Sequence, residues 1–270
     1  MAFPKIYIVG VGPGDPDLLT LKADRLIRQA DVVIYTDSLI PPEIVAIATP
    51  HAQVIPAADK TLEALLALMI EAARSGKNVV RLHDGDPCFY GAIQEQMVGL
   101  LDAGLDFEIV PGVSAYQLAA ARLRVELTVP EQIQTLILSR MSGRTVVPES
   151  EELASLAAHR SSLCLYLSAK HVAQVQVKLL AHYPPETPVA ICYRLGWAEE
   201  QIVLVPLEEL AARNGELGFV RSTLYVVSPA LIAKTVPMDY GYPERVKLGQ
   251  NPEAQRSRLY SSEHSRLFKA

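Results

Sequence analysis

The chain has 270 residues, half of them hydrophobic and a fifth charged, with a formal net charge of −5. That length suits about two domains with sizeable cores. The acidic balance excludes a broad basic face that grips nucleic acid by its phosphates, and no apolar run reaches the ~18 residues that a membrane span needs.

Short β-branched runs alternate with helical patterns from the start. Lys5–Val11 reads as a buried strand, and Pro16–Ala30 carries Leu18, Leu19, Leu26 and Ile27 at helical spacing. Asp31–Tyr35 is strand-like. Thr61–Ser75 reads as a helix with Leu62, Leu65, Leu66 and Met69 on one face, stopped by Gly76 at a C-cap position. A strand over Lys77–Leu82, a loop to about Tyr90, a helix to about Ala103 and a strand over Phe107–Val110 follow. This is α/β alternation, which predicts a mostly parallel sheet flanked by helices.

A second round comprises a strand at Thr135–Leu138, a helix at Glu149–His159, a strand at Leu163–Leu167 and a helix at His171–His182. Val189–Tyr193, Ile202–Val205 and Thr223–Val227 are further strands. Arg122–Gln134 is irregular and contains Pro130, which places a boundary there and predicts domains at 1–125 and 126–236. The polar extension at 237–270 has the composition of a disordered tail, while its aromatic residues suit a segment that docks.

The N-terminus MAFPKIYIVGVG enters a strand at once and lacks the layout of a signal peptide. Cys88, Cys164 and Cys192 are odd in number, far apart and set in apolar or strand-like stretches. They read as small buried hydrophobes in a reducing compartment, so a cytoplasmic location is expected.

Three strand ends carry small-residue loops. Gly10-Val11-Gly12-Pro13-Gly14-Asp15 follows the first strand. It suits close backbone approach to a ligand, or simply a tight turn. A dinucleotide fits poorly, because Asp15 stands where a third small residue belongs and Pro13 removes an N–H from the turn. Asp31 lies at the start of the second strand, not at the end where a ribose acid belongs. His83-Asp84-Gly85-Asp86-Pro87-Cys88-Phe89-Tyr90-Gly91 is either an ordinary Asp-Pro turn or a ligand loop. In the second case Asp86 accepts from a ribose or an ammonium group, and Phe89 or Tyr90 walls an adenine. In Pro111-Gly112-Val113-Ser114-Ala115, Ser114 reads as a helix N-cap whose surroundings also suit a carboxylate. The six histidines show no metal-ligand spacing.

In this order the motifs resemble the tetrapyrrole methylases. That family has a GxGPGDxxLLT start, a YxxxL-type second-strand end, a GDPxxYG-like loop and a PGxSA turn. Here they read GVGPGDPDLLT, YTDSLI, GDPCFYGA and PGVSA. The resemblance continues through Leu165-Tyr166-Leu167 and Tyr193-Arg194-Leu195-Gly196-Trp197 and covers essentially the whole chain. Within the family, Ser139–Glu149 resembles the SR-x-x-GRTP-x-PE stretch of the precorrin-4 and cobalt-precorrin-4 C11-methyltransferases, with Val146 in place of the usual proline. Ser257-Arg258-Leu259-Tyr260, His264 and Phe268 are similar to the end of those enzymes. Ala57-Ala58-Asp59-Lys60-Thr61-Leu62 departs from the family's Ser-Ala-x-Met-Thr-Leu-like run.

The resemblance implies an α/β protein of two domains with S-adenosylmethionine (SAM) folded in the cleft between them, methylating C11 of precorrin-4 or cobalt-precorrin-4 in cobalamin synthesis. The positions it implies for SAM are Pro13, Asp84, Gly85, Asp86, Phe89, Ser114, Ala115, Leu167, Arg194, Trp197, Ala198, Thr223 and Leu224. A ring fringed with carboxylates calls for convergent cations, for which Arg140 and Arg144 lead and Arg81 and Arg194 are weaker. Asp37 matches a carboxylate near the macrocycle, or else caps the turn before Pro41-Pro42. A homodimer without metal ligands of its own is implied, and any cobalt arrives in the substrate. Three other readings stay open: a C17 or C20 methylase, which Ser139–Glu149 disfavours; an RNA ribose methylase, which the acidic charge disfavours; and a non-catalytic SAM or tetrapyrrole carrier.

Overall fold

The computed structural model describes residues 6–143 and 145–231, so Arg144 and the polar extension at 237–270 lie outside the described residues. Two units emerge, one of 1–118 with Arg194–Glu200, the other of Ala119–Tyr193 with the chain from Gln201 onward.

The first unit runs β1 (Ile6–Gly10), α1 (Leu21–Arg28), β2 (Val32–Tyr35), α2 (Pro42–Val45), β3 (Gln53–Pro56), α3 (Leu62–Arg74), β4 (Val79–His83), α4 (Gln94–Asp102), β5 (Phe107–Val110) and α5 (Ala115–Leu123). Its five strands pair in the order β3-β2-β4-β1-β5, all parallel. Continuous apolar strands are what a sheet covered on both faces requires. On one face Val9, Val33, Val80 and Leu82 pack with Ala23, Leu26 and Ile27 of α1 and Ile44 of α2. On the other, Ile6, Val32, Ile34 and Val79 meet Leu65, Met69 and Ala73 of α3 and Leu100 of α4.

The helix expected over Pro16–Ala30 is broken. A single 3-10 turn spans Pro16–Leu18, Leu19 is extended, and Thr20 restarts the chain as the N-cap of α1, its hydroxyl accepting from Ala23 N at 3.1 Å. Thr61 caps α3 in the same way. The short edge strand β3 and the one-turn α2 are absent from the sequence reading, because four residues give too little periodicity to register.

The second unit contains β6 (Leu136–Arg140), α6 (Leu153–Ala157), β7 (Ser162–Tyr166), α7 (Val172–Leu180), β8 (Pro188–Tyr193), β9 (Gln201–Pro206), α8 (Leu210–Leu217) and β10 (Thr223–Val227). The strand order is β6-β7-β10-β8-β9, and only β6 and β7 are parallel. The mostly parallel expectation therefore fails in this half. The connection between β8 and β9 is Arg194–Glu200, too short for the dozen or more residues that a parallel crossover needs, so the pair closes as a hairpin. Leu163, Leu165, Val189, Ile191, Tyr225 and Val227 form the centre of its core, covered by α6, α7 and α8. The two units divide at Leu118/Ala119, inside α5 and N-terminal to the expected 125/126.

Candidate functional site

Strand order in the first unit places β4, β1 and β5 side by side, so the loops that follow them leave the sheet together at its carboxyl edge. The three loops touch backbone to backbone. Gly12 N donates to Gly85 O at 3.2 Å and Gly85 N to Gly12 O at 2.8 Å. A Cβ on Gly112 would lie 2.1 Å from Gly85 O, and one on Gly10 would lie 2.6 Å from Gly112 N. Asp86 completes the tie: Oδ1 accepts from Cys88 N at 2.9 Å and Oδ2 from Gly112 N at 3.0 Å, joining the second loop to the third. The carboxylate assigned to a ligand from the sequence thus already holds the loops in register, with lone pairs to spare. Ser114 immediately precedes α5, and Gln117 Oε1 accepts from Ser114 N at 2.8 Å, the return half of a capping box. Gln117 escaped the sequence reading although the Ser-x-x-Gln spacing displays it.

The departures from the dinucleotide pattern have a structural use. Asp15 caps the 3-10 turn by accepting from Asp17 N at 3.0 Å. Gly14 lies against Trp197, whose Cδ1 would be 2.5 Å from an added Cβ, and Gly196 lies against Asp15 N. The Arg194–Glu200 segment is self-bracing. Glu200 Oε2 accepts from Gly196 N at 2.6 Å, Arg194 pairs with Glu199 at 3.0 Å, and its guanidinium stands 5.0 Å over the Trp197 ring. Arg194, Trp197 and Ala198 thus belong with Pro13 in the first unit. Phe89 and the exposed Tyr90 stack obliquely on each other with centroids 4.2 Å apart. Cys88 beside them is exposed, which corrects its reading as a buried hydrophobe; Cys164 and Cys192 are buried as expected.

Asp37 follows β2 at the same edge and is exposed. Its Oδ1 accepts from Ala58 N at 3.2 Å, so it braces the chain after β3 rather than capping the turn before Pro41. Arg81 corrects another expectation. Only 6% exposed, it lies within β4 and donates to Ile34 O, Leu82 O and Thr36 Oγ1. It is a strut between β4 and the end of β2, not a surface clamp for substrate carboxylates. Burial lowers its pKa to about 10, opposed by Asp84. Asp84 reaches solvent yet is crowded by protein, which raises its pKa; Arg81 pulls the other way.

His83 is equally buried, and desolvation, with Arg81 adding to it, pushes its pKa down to about 3. Unfolded, the same imidazole takes a proton near 6.5. Between these values the unfolded chain binds more protons, so this contribution is full above the unfolded pKa and is lost as pH falls toward the folded one. Denaturant titrations of wild type and His83→Gln should diverge accordingly. From pH 6.5 to 5 the wild type loses about 1–2 kcal/mol more than the variant, and parallel pH profiles would refute the assignment.

In the second unit the sequence-derived positions share one sheet end. Arg140 closes β6 and pairs in register with Tyr166, the last residue of β7. Leu167 follows at φ +51° and is 59% exposed. Tyr225 faces Leu165 across the antiparallel pair, which sets buried Thr223 and Leu224 at the same end. Arg144 lies outside the described residues.

Residues 5–211 match the sequence profile of the Tetrapyrrole (Corrin/Porphyrin) Methylases. The chain belongs to that family. A precorrin-4 C(11)-methyltransferase of Pseudomonas aeruginosa is 39% identical over 264 residues, 98% of each chain. A solved cobalt precorrin-4 methyltransferase is 42% identical, with a TM-score of 0.82 over 84% of this chain and 96% of that one. A uroporphyrin-III C-methyltransferase of Thermus thermophilus, solved with S-adenosylhomocysteine, is 29% identical, with a TM-score of 0.71 over 84% of this methylase and 98% of that one. Two sheets, the first parallel and the second mixed, are therefore the tetrapyrrole methylase fold. Among the described residues of this methylase, no helix is long and apolar enough to cross a membrane.

Proposed function

We propose that the protein is a SAM-dependent methyltransferase acting on C11 of precorrin-4 or cobalt-precorrin-4 in cobalamin synthesis. The observation that carries this reading is 39% identity to a precorrin-4 C(11)-methyltransferase along 98% of both chains. The first unit's loops fit the cofactor. They offer a glycine floor with no side chain between the backbones, and Pro13 where a pyrophosphate would want an N–H, as suits a neutral adenosine and a sulfonium. Pro13, Asp84, Gly85, Asp86, Phe89, Ser114 and Ala115 would hold it, with Arg194, Trp197, Ala198, Leu167, Thr223 and Leu224. When bound, SAM supplies an electrophilic methyl group.

Arg140 and Arg144 would bind the carboxylate fringe of the ring through their forked donors. Asp37 would accept a proton or a pyrrole N–H hydrogen bond. The ring carbon is already electron-rich, so the protein's contribution is to align donor and acceptor and to exclude water. Scattered cysteines suit a reducing compartment, and the reading includes a cytoplasmic homodimer.

Anaerobic incubation with SAM and precorrin-4, with and without cobalt, should yield a product heavier by one methyl group, located at C11 by NMR. No methylated product from either substrate rejects the reading. Asp37→Asn should lower kcat by about tenfold or less, below the range of an essential general base. Complete loss of turnover with both ligands still bound would make Asp37 such a base and overturn the positioning account.

A further inference from the structure

We propose that His171 and Arg140 converge over Gly143 to form a subsite for one side-chain carboxylate of the tetrapyrrole. This rests on the functional reading above and adds to it a residue, His171, and a geometry.

Three residues at one end of the second unit's sheet build the subsite. A Cβ placed on Gly143 would stand 3.6 Å from His171 Nε2 and 3.7 Å from Arg140 Nη2. Two nitrogens able to donate thus flank one point at nearly equal distance, and among the described residues no other atom, the exposed Gly143 and its chain neighbours aside, lies within 4 Å of that point. An oxyanion is the group that accepts from two such donors together.

The frame behind them is fixed. Ser168, fully buried, accepts from Met141 N at 3.0 Å and donates to Tyr166 O at 2.7 Å, which locks the chain after β6 to the chain after β7. Arg140 Nε donates to Met141 O at 3.2 Å, which orients the guanidinium and directs Nη2 toward Gly143. His171 is the residue before α7 and makes no side-chain cap bond to that helix. Its partly exposed imidazole is not used in capping. The backbone that carries both residues is tied together at Ser168, whose backbone O also accepts from His171 N at 2.9 Å, so their spacing is set before the substrate arrives, which is what a selective carboxylate site requires.

Gly143 makes the test direct. It does not have a positive φ, and both contacts of an added Cβ are ordinary van der Waals distances. Gly143→Ala therefore fits the free protein but occupies the place of the carboxylate oxygen. With precorrin-4 as substrate, Gly143→Ala and His171→Ala should each raise KM by about tenfold, the scale of one charge-assisted hydrogen bond. In both, kcat and S-adenosylhomocysteine affinity by calorimetry should stay at wild-type values. His171→Gln, which keeps a donor, should recover most of the KM. The double variant should do no worse than either single one, since both act on the same point.

An unchanged KM in both single variants overturns the subsite, as does an equal loss of S-adenosylhomocysteine affinity, which would mark a structural role. The same variants are titrated with uroporphyrin, a stable ring carrying the same acetate and propionate groups, by its fluorescence. Should the wild type not methylate precorrin-4 at all, the functional reading fails while this titration judges the subsite: weaker binding in both variants supports it, and equal binding rejects it.

Discussion

Gly112→Ala is expected to abolish S-adenosylhomocysteine binding and to lower stability by about 3 kcal/mol, the upper end of what forcing a methyl group into a packed site costs. The added Cβ would sit 2.1 Å from Gly85 O and 2.8 Å from Gly10 C. Both are backbone atoms, so no flexible side chain can swing aside. Relief requires the second loop to move away from β1, which breaks the reciprocal Gly12–Gly85 hydrogen bonds and pulls Gly112 N from Asp86. Calorimetric titration and urea unfolding measure the two effects. Gly215→Ala is the control: it lies within α8, its φ is not positive, and among the described residues no atom beyond its own helix's backbone is within 4 Å of the added Cβ. That change should stabilise by about 0.5–1 kcal/mol, the propensity gain inside a helix. Gly112→Ala binding S-adenosylhomocysteine like wild type would mean that the three-loop junction does not shape the cofactor site.

The same junction shows how far the sequence could be read. Each glycine loop is visible in the chain because it directly follows a β-branched run, and the strand-end rule names the edge where ligands bind. What a linear reading lacks is strand order. The loops meet because β1 is inserted between β4 and β5, a pairing set by helices covering both faces and not by any local pattern. Arg81 is hard to place from the sequence for a related reason. A charged residue in a strand looks like a surface group until its neighbours are known, and here Ile34 O on the adjoining strand and Thr36 Oγ1 just after it accept from the guanidinium.

The second unit departs further. Strand spacing was legible there, but direction was not: seven residues between β8 and β9 force a hairpin, and reading that half as a repeat of the first hid it. The Arg194–Glu200 segment is part of the same omission. Its sequence matched the family, yet nothing in it announced that Gly196 would press on Asp15 N and Trp197 on Gly14. Close approaches between segments almost two hundred residues apart carry no periodic signal; only the two glycines hint at them. A lone histidine before a helix has no ligand spacing, so the significance of His171 appears only beside Arg140 and Gly143.

The other large effect is expected at Asp86, where the isosteric change should be nearly as harmful as the deletion. Asp86 accepts from two different N–H groups with two different oxygens, Cys88 N at 2.9 Å and Gly112 N at 3.0 Å. Asparagine has one oxygen and one NH2, so one of those N–H groups must then face a donor. Each hydrogen bond to a charged acceptor contributes about 1.5–3 kcal/mol. Asp86→Ala loses both and should cost about 3 kcal/mol of stability, while Asp86→Asn loses one, adds a donor–donor clash and should come within about 1 kcal/mol of it. Both should weaken S-adenosylhomocysteine binding more than a hundredfold, about 2.7 kcal/mol, because the third loop is no longer tied to the second. Urea unfolding and calorimetry at one pH give the ordering. If the carboxylate acted on the ligand alone, the stabilities of Asn, Ala and wild type would coincide and only affinity would fall. If it were a solvated turn residue, neither would change. Loss of both together in Asp86→Asn is the signature of a carboxylate whose two oxygens hold two loops.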